Sequence, residues 1–366
     1  MIRTRRGALQ ALVTAPLALV LSACGGVDSA AMPTPMPMPV TRRWKMGCSP
    51  LPPIPTTQAV LQGIDLWSQR AELAIIHEEL PWTDLLAGMS ANAILDRDKV
   101  QLVNYLRGKG LTLAFMADLT DGLSRAEEAP QLRALGRSLA EPAVQQVYRD
   151  YVLAVASRLN PAYLGLAAET NLIRLAAPSA LYGAVVQAAN AAAVDLAAAG
   201  SSARPFISVQ VETAWGGLSP GGNFLGIAPD LNDFAFSQML GYSSYPYFRY
   251  TQPEDIPVDY YTRLASGQSR PIWIVEGGWT SANVGSVMSS PAIQARYITR
   301  HADLLDSVQA QGLLQLEFAD IDTSLYPPPL PVNLPLFTHL GLCNSDFSAK
   351  PALAAWDALH GRTLRP

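Results

Sequence analysis

Two glutamates stand where acid and nucleophile chemistry is expected. Glu169 follows the apolar run at residues 163–168, and Glu276 follows the run at 272–275. Apolar surroundings raise the pKa of a carboxyl group, which suits a proton donor, whereas a second, ionised carboxylate can attack an anomeric carbon. Two carboxyls about 5 Å apart are what a retaining glycosidase requires. The sequence therefore predicts Glu169 and Glu276 as a catalytic pair, provided that the fold brings them together.

Carboxylates and aromatic side chains end the other apolar runs. Aromatic rings stack on the apolar faces of sugar rings, and carboxylates accept hydrogen bonds from sugar hydroxyls. For any single residue an ordinary solvated position competes with this interpretation, so only the group as a whole predicts a carbohydrate-binding cleft. The predicted substrate contacts are His77, Trp82, Asn171, Glu212, Trp215, Tyr245, Tyr247 and Trp279.

Eight short apolar segments precede these polar residues and have the composition of buried parallel strands. They are residues 45–48, 71–77, 112–118, 163–169, 206–212, 236–242, 271–276 and 313–318. Apolar residues three and four apart predict crossover helices at 58–69, 96–107, 143–159, 181–199 and 292–311. The glycine-rich segment 216–233 predicts a long loop on the active face with at most a short helix.

Strands that alternate with helices predict an α/β fold with right-handed crossovers and a parallel sheet. Eight such units in one chain favour a closed (β/α)8 TIM barrel, with catalytic residues at the carboxyl ends of the strands. The alternative is an open, doubly wound sheet. That fold usually carries a glycine-rich phosphate turn after its first strand, whereas here the first strand is followed by Cys48-Ser49-Pro50.

Four segments resemble the clan A retaining glycoside hydrolases, a (β/α)8 superfamily, and the resemblance spans most of the chain after the first 41 residues. They are residues 163–171, 241–247 (Gly-Tyr-Ser-Ser-Tyr-Pro-Tyr), 273–279 (Trp-Ile-Val-Glu-Gly-Gly-Trp) and 341–356. The resemblance implies that Glu169 is the acid/base, that Glu276 is the nucleophile and that Tyr245 hydrogen-bonds the nucleophile. Within the clan, the segments around strands six and seven are most similar to the arabinogalactan endo-β-1,4-galactanases.

Two positions depart from the clan pattern. Its asparagine immediately before the acid/base, which holds the sugar 2-hydroxyl, is replaced by Ala168, and its arginine near strand two is not evident, His77 standing in that region. A second hypothesis is therefore a non-catalytic carbohydrate-binding lipoprotein on a degenerate glycosidase barrel. A third is an unrelated barrel enzyme that uses Glu212 or Glu78.

The N-terminus predicts an exported lipoprotein. Residues 1–23 combine a basic start, an apolar run and Leu21-Ser22-Ala23 before Cys24, which is typical of a lipoprotein signal peptide with Cys24 lipidated. The proline-rich segment 24–41 predicts a tether, and residues 42–366 form the predicted barrel domain. Gly25 and Gly26 follow the cysteine instead of an aspartate, which by the same resemblance favours an outer-membrane anchor, on its periplasmic or cell-surface face.

Composition limits the partners. Without Arg3, Arg5 and Arg6 of the signal peptide, 23 of the 26 basic residues remain against 30 acidic ones, which argues against nucleic acid as a partner. No spacing of ligands indicates a metal site, so we expect an enzyme without cofactor. We also expect a monomer. Cys48 and Cys343 are either a disulfide across the seam between the first and last strands or two buried thiols.

Overall fold

The computed structural model describes residues 41–217, 221–326 and 328–365. The predicted signal peptide, the lipidated Cys24 and the tether up to residue 40 lie outside the described residues, and these assignments stay predictions. Eight parallel strands close into a barrel in the order β7-β8-β1-β2-β3-β4-β5-β6. The predicted (β/α)8 barrel is therefore confirmed. The strands are β1 (Lys45–Cys48), β2 (Leu73–Glu79), β3 (Thr112–Asp118), β4 (Tyr163–Ala167), β5 (Arg204–Gln210), β6 (Met239–Ser244), β7 (Ile272–Gly277) and β8 (Gly312–Gln315).

Helices cover the outside of the barrel, and each predicted helix has a counterpart. The single helix predicted at 96–107 is replaced by two helices, α3 and α4, which are separated by Lys99. The helix predicted at 143–159 ends in a π-helical turn after Ala154. The helices are α1 (Thr57–Trp67), α2 (Trp82–Leu86), α3 (Ala91–Asp98), α4 (Val100–Gly108), α5 (Pro130–Ala134), α6 (Pro142–Ala154), α7 (Thr170–Ala176), α8 (Ser179–Ala198), α9 (Val211–Ala214), α10 (Ala228–Asp233), α11 (Thr262–Ala265), α12 (Pro291–Ser307) and α13 (Pro351–His360).

Local sequence explains where the long helices begin. The side chain of Thr56 accepts a hydrogen bond from the backbone N–H of the third residue of α1, and that of Ser290 does so from the third residue of α12. Each bond satisfies an N–H that has no partner within the helix. Helix α8 is long and apolar enough to cross a membrane by length and composition alone. One of its faces, which includes Leu181, Val185 and Leu196, is buried as in a core helix.

The barrel interior is a packed core made of alternate strand residues. Trp273 and Met116 are two of its large members, and each lies against a glycine on a neighbouring strand. A Cβ atom at Gly312 would lie 2.3 Å from the ring of Trp273, and one at Gly165 would lie 2.4 Å from the sulfur of Met116. The other interior residues are Leu73, Ile75, Ala114, Ala168, Phe206, Met239, Val275 and Leu314.

Both ends of the described chain meet at the amino-terminal end of the barrel. Thr41–Arg42 pairs in parallel with Thr363–Leu364, and β1 begins three residues after Arg42. The guanidinium of Arg42 is buried and binds the carboxylate of Glu72 through both terminal nitrogens, at 2.5 and 3.1 Å. The segment that follows the predicted tether is therefore fixed to the barrel from its first described residue.

The two barrel cysteines are buried free thiols, so the disulfide allowed by the sequence is not formed. Cys48 is the last residue of β1. In the segment after β8, the backbone of Cys343 pairs with that of Ala319 in an isolated β-bridge. Burial raises the pKa of both thiols. Of the two alternatives that the sequence leaves open, the structure has the two buried thiols.

The close packing of Trp273 on Gly312 can be tested by adding one methyl group. We expect Gly312→Ala to lower the free energy of unfolding by about 1–3 kcal/mol, because the ring must move in a filled core. Gly183→Ala is the matched control: Gly183 is exposed within α8 with no atom near its Cβ position, and we expect a gain of about 0.5–1 kcal/mol. Urea unfolding measures both, and equal effects would contradict the described packing.

Candidate active site

Glu169 lies at the carboxyl end of β4 in a conformation that few non-glycine residues adopt. Its φ of 46° and ψ of 46° are left-handed, and it caps the start of α7. The backbone N–H of Glu169 donates a hydrogen bond to the hydroxyl oxygen of Ser208 at 2.9 Å. Backbone strain of this kind costs about 1–3 kcal/mol and is concentrated at functional sites.

Irregularities near the strand ends direct both glutamates toward the barrel mouth. Gly165 and Ala168 both face the interior although they are an odd number of residues apart, because the pairing of β4 with β5 shifts at residues 165–167. Strict alternation from Ala168 would point Glu169 outward, and the left-handed backbone of Glu169 breaks that alternation. Val275 also faces the interior, so strict alternation would point Glu276 outward, but the pairing of β7 with β6 shifts between residues 274 and 276. Such irregularities re-aim side chains next to active sites.

A series of acidic and basic side chains connects the two glutamates. Glu276 Oε2 lies 3.1 Å from His77 Nδ1, and His77 Nε2 lies 2.8 Å from Asp118 Oδ2. Arg125 donates from Nη1 to the same oxygen of Asp118 at 2.6 Å and from Nε to Glu169 Oε2 at 2.8 Å. The carboxylates and cations alternate along this series, which we call the mouth network (Glu276, His77, Asp118, Arg125 and Glu169).

The pKa of Glu169 is raised above its ordinary value. Burial is the main cause, Arg125 opposes it, and the negative charge of Glu276 reinforces it. The second oxygen of Glu169 accepts a hydrogen bond from Ser243 Oγ at 2.6 Å, which also favours the ionised form without outweighing burial. A carboxyl group that keeps its proton in a closed site is suited to act as a general acid.

The pKa of Glu276 is shifted the other way. Burial raises it, but the hydrogen bond and charge of His77, together with Arg125, lower it by more. Tyr245 donates its hydroxyl to Glu276 Oε1 at 2.5 Å, as the clan resemblance implies. Two carboxyls with opposite shifts in one cleft define an acid and an ionised base or nucleophile.

His77 is a cation in this setting. Both of its ring nitrogens face carboxylate oxygens, so each must carry a proton to donate. Burial lowers its pKa, but Asp118 and Glu276 together raise it to about 10. The imidazolium therefore supplies positive charge beside Glu276, in the region where the clan has its arginine.

A cleft of two adjoining cavities, of about 300 and 500 Å³, opens over the mouth network. Glu276, Arg125 and Tyr245 line both parts. The smaller part includes His77 and the larger one Glu169, so the predicted catalytic pair shares one cleft. The aromatic walls are Phe248, Tyr326 and Phe337, residues that the sequence analysis does not select.

The predicted aromatic platforms are wrong. Trp82, Trp215, Trp279 and Tyr247 are 0, 7, 1 and 3% exposed, and the described residues that line the cleft do not include them. Their polar atoms serve the fold. The indole N–H of Trp215 donates to the Tyr260 carbonyl and that of Trp279 to Ser289 Oγ, and the Tyr247 hydroxyl donates to the Leu336 carbonyl.

Asn171 and Glu212 are also structural in this fold. The Asn171 amide exchanges two hydrogen bonds with the backbone of Gln210, at 2.7 and 2.8 Å, so it does not replace the missing clan asparagine. Strand β5 ends at Gln210, two residues before the predicted end, so Glu212 lies in α9, completely buried. Its carboxyl accepts from Tyr260, and burial raises its pKa to about 7.

Arg125 and Asp118 belong to the mouth network but are not among the site residues selected from the sequence. Arg125 belongs to a short hairpin, Thr120–Asp121 with Ser124–Glu128, that follows β3. The hairpin signal was available, because the turn between the paired residues Asp121 and Ser124 is Gly122-Leu123, and glycine is common in the first position of such a two-residue turn. What the signal does not give is the direction of Arg125, which turns inward and is 5% exposed.

Glu317 is a third acidic group in the wall of the smaller cavity. It is completely buried, and neither oxygen makes a hydrogen bond of ordinary geometry. Burial and the charge of Asp320 raise its pKa well above the ordinary range, while the Leu340 backbone and Lys350 oppose them. Its burial without a hydrogen-bond partner therefore favours the neutral form.

Comparison with known proteins gives the fold but no close relative. No family model matches the chain, and no curated protein matches it. A GH5_18 structure from Streptomyces cattleya in complex with GlcNAc is 18% identical, with a TM-score of 0.64 over 89% of this chain and 83% of that one. A GH5_18 variant from Bifidobacterium longum in complex with Manβ1-4GlcNAc is 15% identical, with a TM-score of 0.62 over 88% and 80%.

A third similar structure is an exo-β-1,4-mannosidase from Opitutaceae bacterium strain TAV5. It is 14% identical, with a TM-score of 0.63 over 87% of this chain and 59% of that one. At these identities the likeness establishes the (β/α)8 fold alone. The neighbours are GH5 glycoside hydrolases of clan A, which is the superfamily that the sequence resembles.

The charge of His77 predicts a particular pH dependence of stability. A folded pKa near 10 against an ordinary value of 6.5 means that its stabilisation is complete below pH 6.5 and is lost as the pH rises toward 10. We expect His77→Gln to lower the free energy of unfolding by about 3 kcal/mol near neutral pH, and this difference from the native protein to shrink toward pH 10.

Urea unfolding at pH 6, 8 and 10 measures this difference. His339→Gln is the control, because the His339 side chain is 42% exposed and lies outside the mouth network. A difference for His77→Gln that stays constant from pH 6 to pH 10 would show that His77 is not held as a cation.

Proposed function

We propose that this protein is a glycoside hydrolase that cleaves β-linked sugars with retention of anomeric configuration. The observation that carries the proposal is the pair Glu169 and Glu276, which come from β4 and β7, share one cleft and have opposite pKa shifts. The fold that the chain shares with GH5 glycosidases is consistent with this chemistry.

The first step forms a covalent intermediate. The Glu276 carboxylate attacks the anomeric carbon, the bond to the leaving oxygen breaks, and Glu169 transfers its proton to that oxygen. In the second step Glu169, now ionised, takes a proton from water, whose oxygen displaces Glu276 from the sugar. Both glutamates end in their starting forms, and no further reactant is needed.

Neighbouring groups hold each glutamate ready. Tyr245 and His77 donate to different oxygens of Glu276, which keeps it ionised and fixes its orientation. Ser243 and Arg125 donate to different oxygens of Glu169 and fix its orientation. The positive charge of Arg125 interacts with both Glu169 and Glu276. It therefore stabilises the carboxylate that Glu169 becomes when it gives up its proton.

The substrate class follows from the cleft and from the neighbours. Aromatic and aliphatic walls around a polar centre suit a sugar, and bound sugars in the similar structures include GlcNAc and Manβ1-4GlcNAc. We therefore place β-1,4-linked mannosides and glucosides first in a substrate panel, with β-1,4-galactan included because of the galactanase-like segments at 241–247 and 273–279.

A second candidate function is sugar binding without turnover. Ala168 occupies the position of the clan asparagine, is 1% exposed and packs in the barrel interior, so no polar group stands there for a sugar 2-hydroxyl. Hydrogen bonds to that hydroxyl strengthen in the transition state. This candidate requires binding of an oligosaccharide from the panel with no product after long incubation.

We also propose that the enzyme works as a lipoprotein at the outer membrane. The support is the sequence of residues 1–24 alone, a basic start, an apolar run and a cysteine after Leu-Ser-Ala. Metabolic labelling of the expressed protein with a fatty acid, and loss of the label in Cys24→Ala, would test the anchor.

Exchange of either catalytic carboxyl tests the assignment. We expect Glu169→Gln to lower kcat by about 10²–10⁴-fold and Glu276→Gln to lower it at least as much, because acid/base or nucleophile is lost. Glu212→Gln is the matched control, a buried carboxyl at the same end of the barrel outside the cleft, and we expect it to retain activity. Activity lost in Glu212→Gln but kept in both other variants would instead favour the third hypothesis.

Product stereochemistry tests the mechanism separately. If Glu276 forms a covalent intermediate, the first product from a β-linked substrate is the β-anomer. Proton NMR in the first minutes of hydrolysis, before mutarotation, distinguishes the two anomers. An initial α-anomer would mean that Glu276 activates water directly and that the enzyme inverts.

A further inference from the structure

A separate cavity, of about 410 Å³, lies at the amino-terminal end of the barrel, opposite the cleft. Its position follows from the strands, because Lys45 and Tyr163 begin β1 and β4, and Trp273 is the second residue of β7. The remaining lining residues are Arg43, Gln309, Gln311, Leu364 and Arg365. None of these described lining residues is acidic.

The cations of this cavity are unpaired. Among the described residues, the side chains of Arg43, Lys45 and Arg365 make no ion pair and no hydrogen bond. Several exposed arginines elsewhere are paired: Arg97 binds Asp84 and Asp98, Arg158 binds Asp96, and Arg296 binds Glu254. Acidic residues outnumber basic ones in this chain, so three free cations around one cavity are unexpected.

Neighbouring groups do not neutralise these cations. The carboxylates on nearby segments are already engaged, since Glu72 binds Arg42 and Asp306 accepts from the Trp44 indole. The cavity therefore presents an excess of donors and positive charge, which suits an anionic oxygen ligand such as a phosphate.

The position of the cavity indicates where that phosphate comes from. Arg43 and Lys45 follow the first described residue within four positions, and Arg365 comes directly after the strand Thr363–Leu364 that pairs with Thr41–Arg42. If Cys24 carries lipid, the 16 residues between it and Thr41 limit the distance of this face from the bilayer to about 60 Å at full extension.

We propose that this basic end face, formed by Arg43, Lys45 and Arg365, docks on the phosphate groups of an anionic membrane surface. Each lysine or arginine near such a surface adds to the attraction. The cleft lies at the other end of the barrel, so docking directs it away from the bilayer. The proposal concerns a face separate from the cleft and does not depend on the glycosidase assignment.

The test uses the full chain with Cys24→Ser, so that no lipid contributes, and vesicles of phosphatidylcholine with or without phosphatidylglycerol. We measure the ratio of binding to anionic over neutral vesicles by co-sedimentation. Any contribution of residues 1–40 is common to all variants. We expect Arg43→Gln, Lys45→Gln and Arg365→Gln together to lower the ratio at least about tenfold, and rising salt to weaken the parent's preference.

The control removes the same charge from paired arginines, with Arg97→Gln, Arg158→Gln and Arg296→Gln together. We expect this control to stay within about twofold of the parent, with circular dichroism confirming that both variants fold. An equal fall in both triple variants would overturn the proposal, because net charge alone would explain the binding. A ratio unchanged by the first triple variant would also overturn it.

Inorganic phosphate separates the two possible sources of the ligand. If calorimetry shows that the cavity binds free phosphate, and the first triple variant abolishes this without changing vesicle binding, the site is one for a soluble anion and the docking proposal is wrong. Loss of vesicle preference in the first triple variant alone supports docking.

Discussion

The alternation of charge along the mouth network is the constraint on which the active end of the barrel depends. Asp118, Arg125 and Glu169 are nearly inaccessible to solvent, and each is tolerable there only because its neighbour carries the opposite charge or neutralises it. Removing one member leaves an uncompensated buried charge, which typically costs 3–5 kcal/mol. The network must therefore be built as a unit, from β2, β3, β4, β7 and the hairpin after β3.

The barrel provides this unit by two devices. Regular alternation directs His77 and Asp118 inward, since each has the parity of the interior residues below it on the same strand. Each glutamate directly follows an interior residue, Ala168 or Val275, and so breaks the same rule, and the strand register is shifted near both places. The left-handed backbone of Glu169 is part of that exception. Regular strands thus supply the supporting charges, and irregular strand ends supply the two glutamates of the proposed catalytic pair.

The sequence was a good guide wherever burial decided the outcome. Apolar runs identified all eight strands to within a few residues, and four of the polar residues selected at their ends, Glu169, Glu276, His77 and Tyr245, line the cleft. It was a poor guide to aromatic residues, because Trp279 in a polar loop looks the same whether its ring faces solvent or packs on Tyr297, as it does here. Arg125 was missed for a related reason. The turn of its hairpin can be recognised in the sequence, but the long-range contact that the hairpin makes over the mouth cannot.

The two ends of the barrel use charge in opposite ways, and the reason is exposure to solvent. At the carboxyl end the charges are buried, so each has a partner and the pKa values move far from their ordinary values. At the amino end Arg43 and Arg365 are exposed, so water screens them and they can remain unpaired at little cost. Charges that are already paired can position a substrate, whereas unpaired ones retain the capacity to bind a separate anion. A single closed barrel can therefore keep reaction and attachment apart by its length alone.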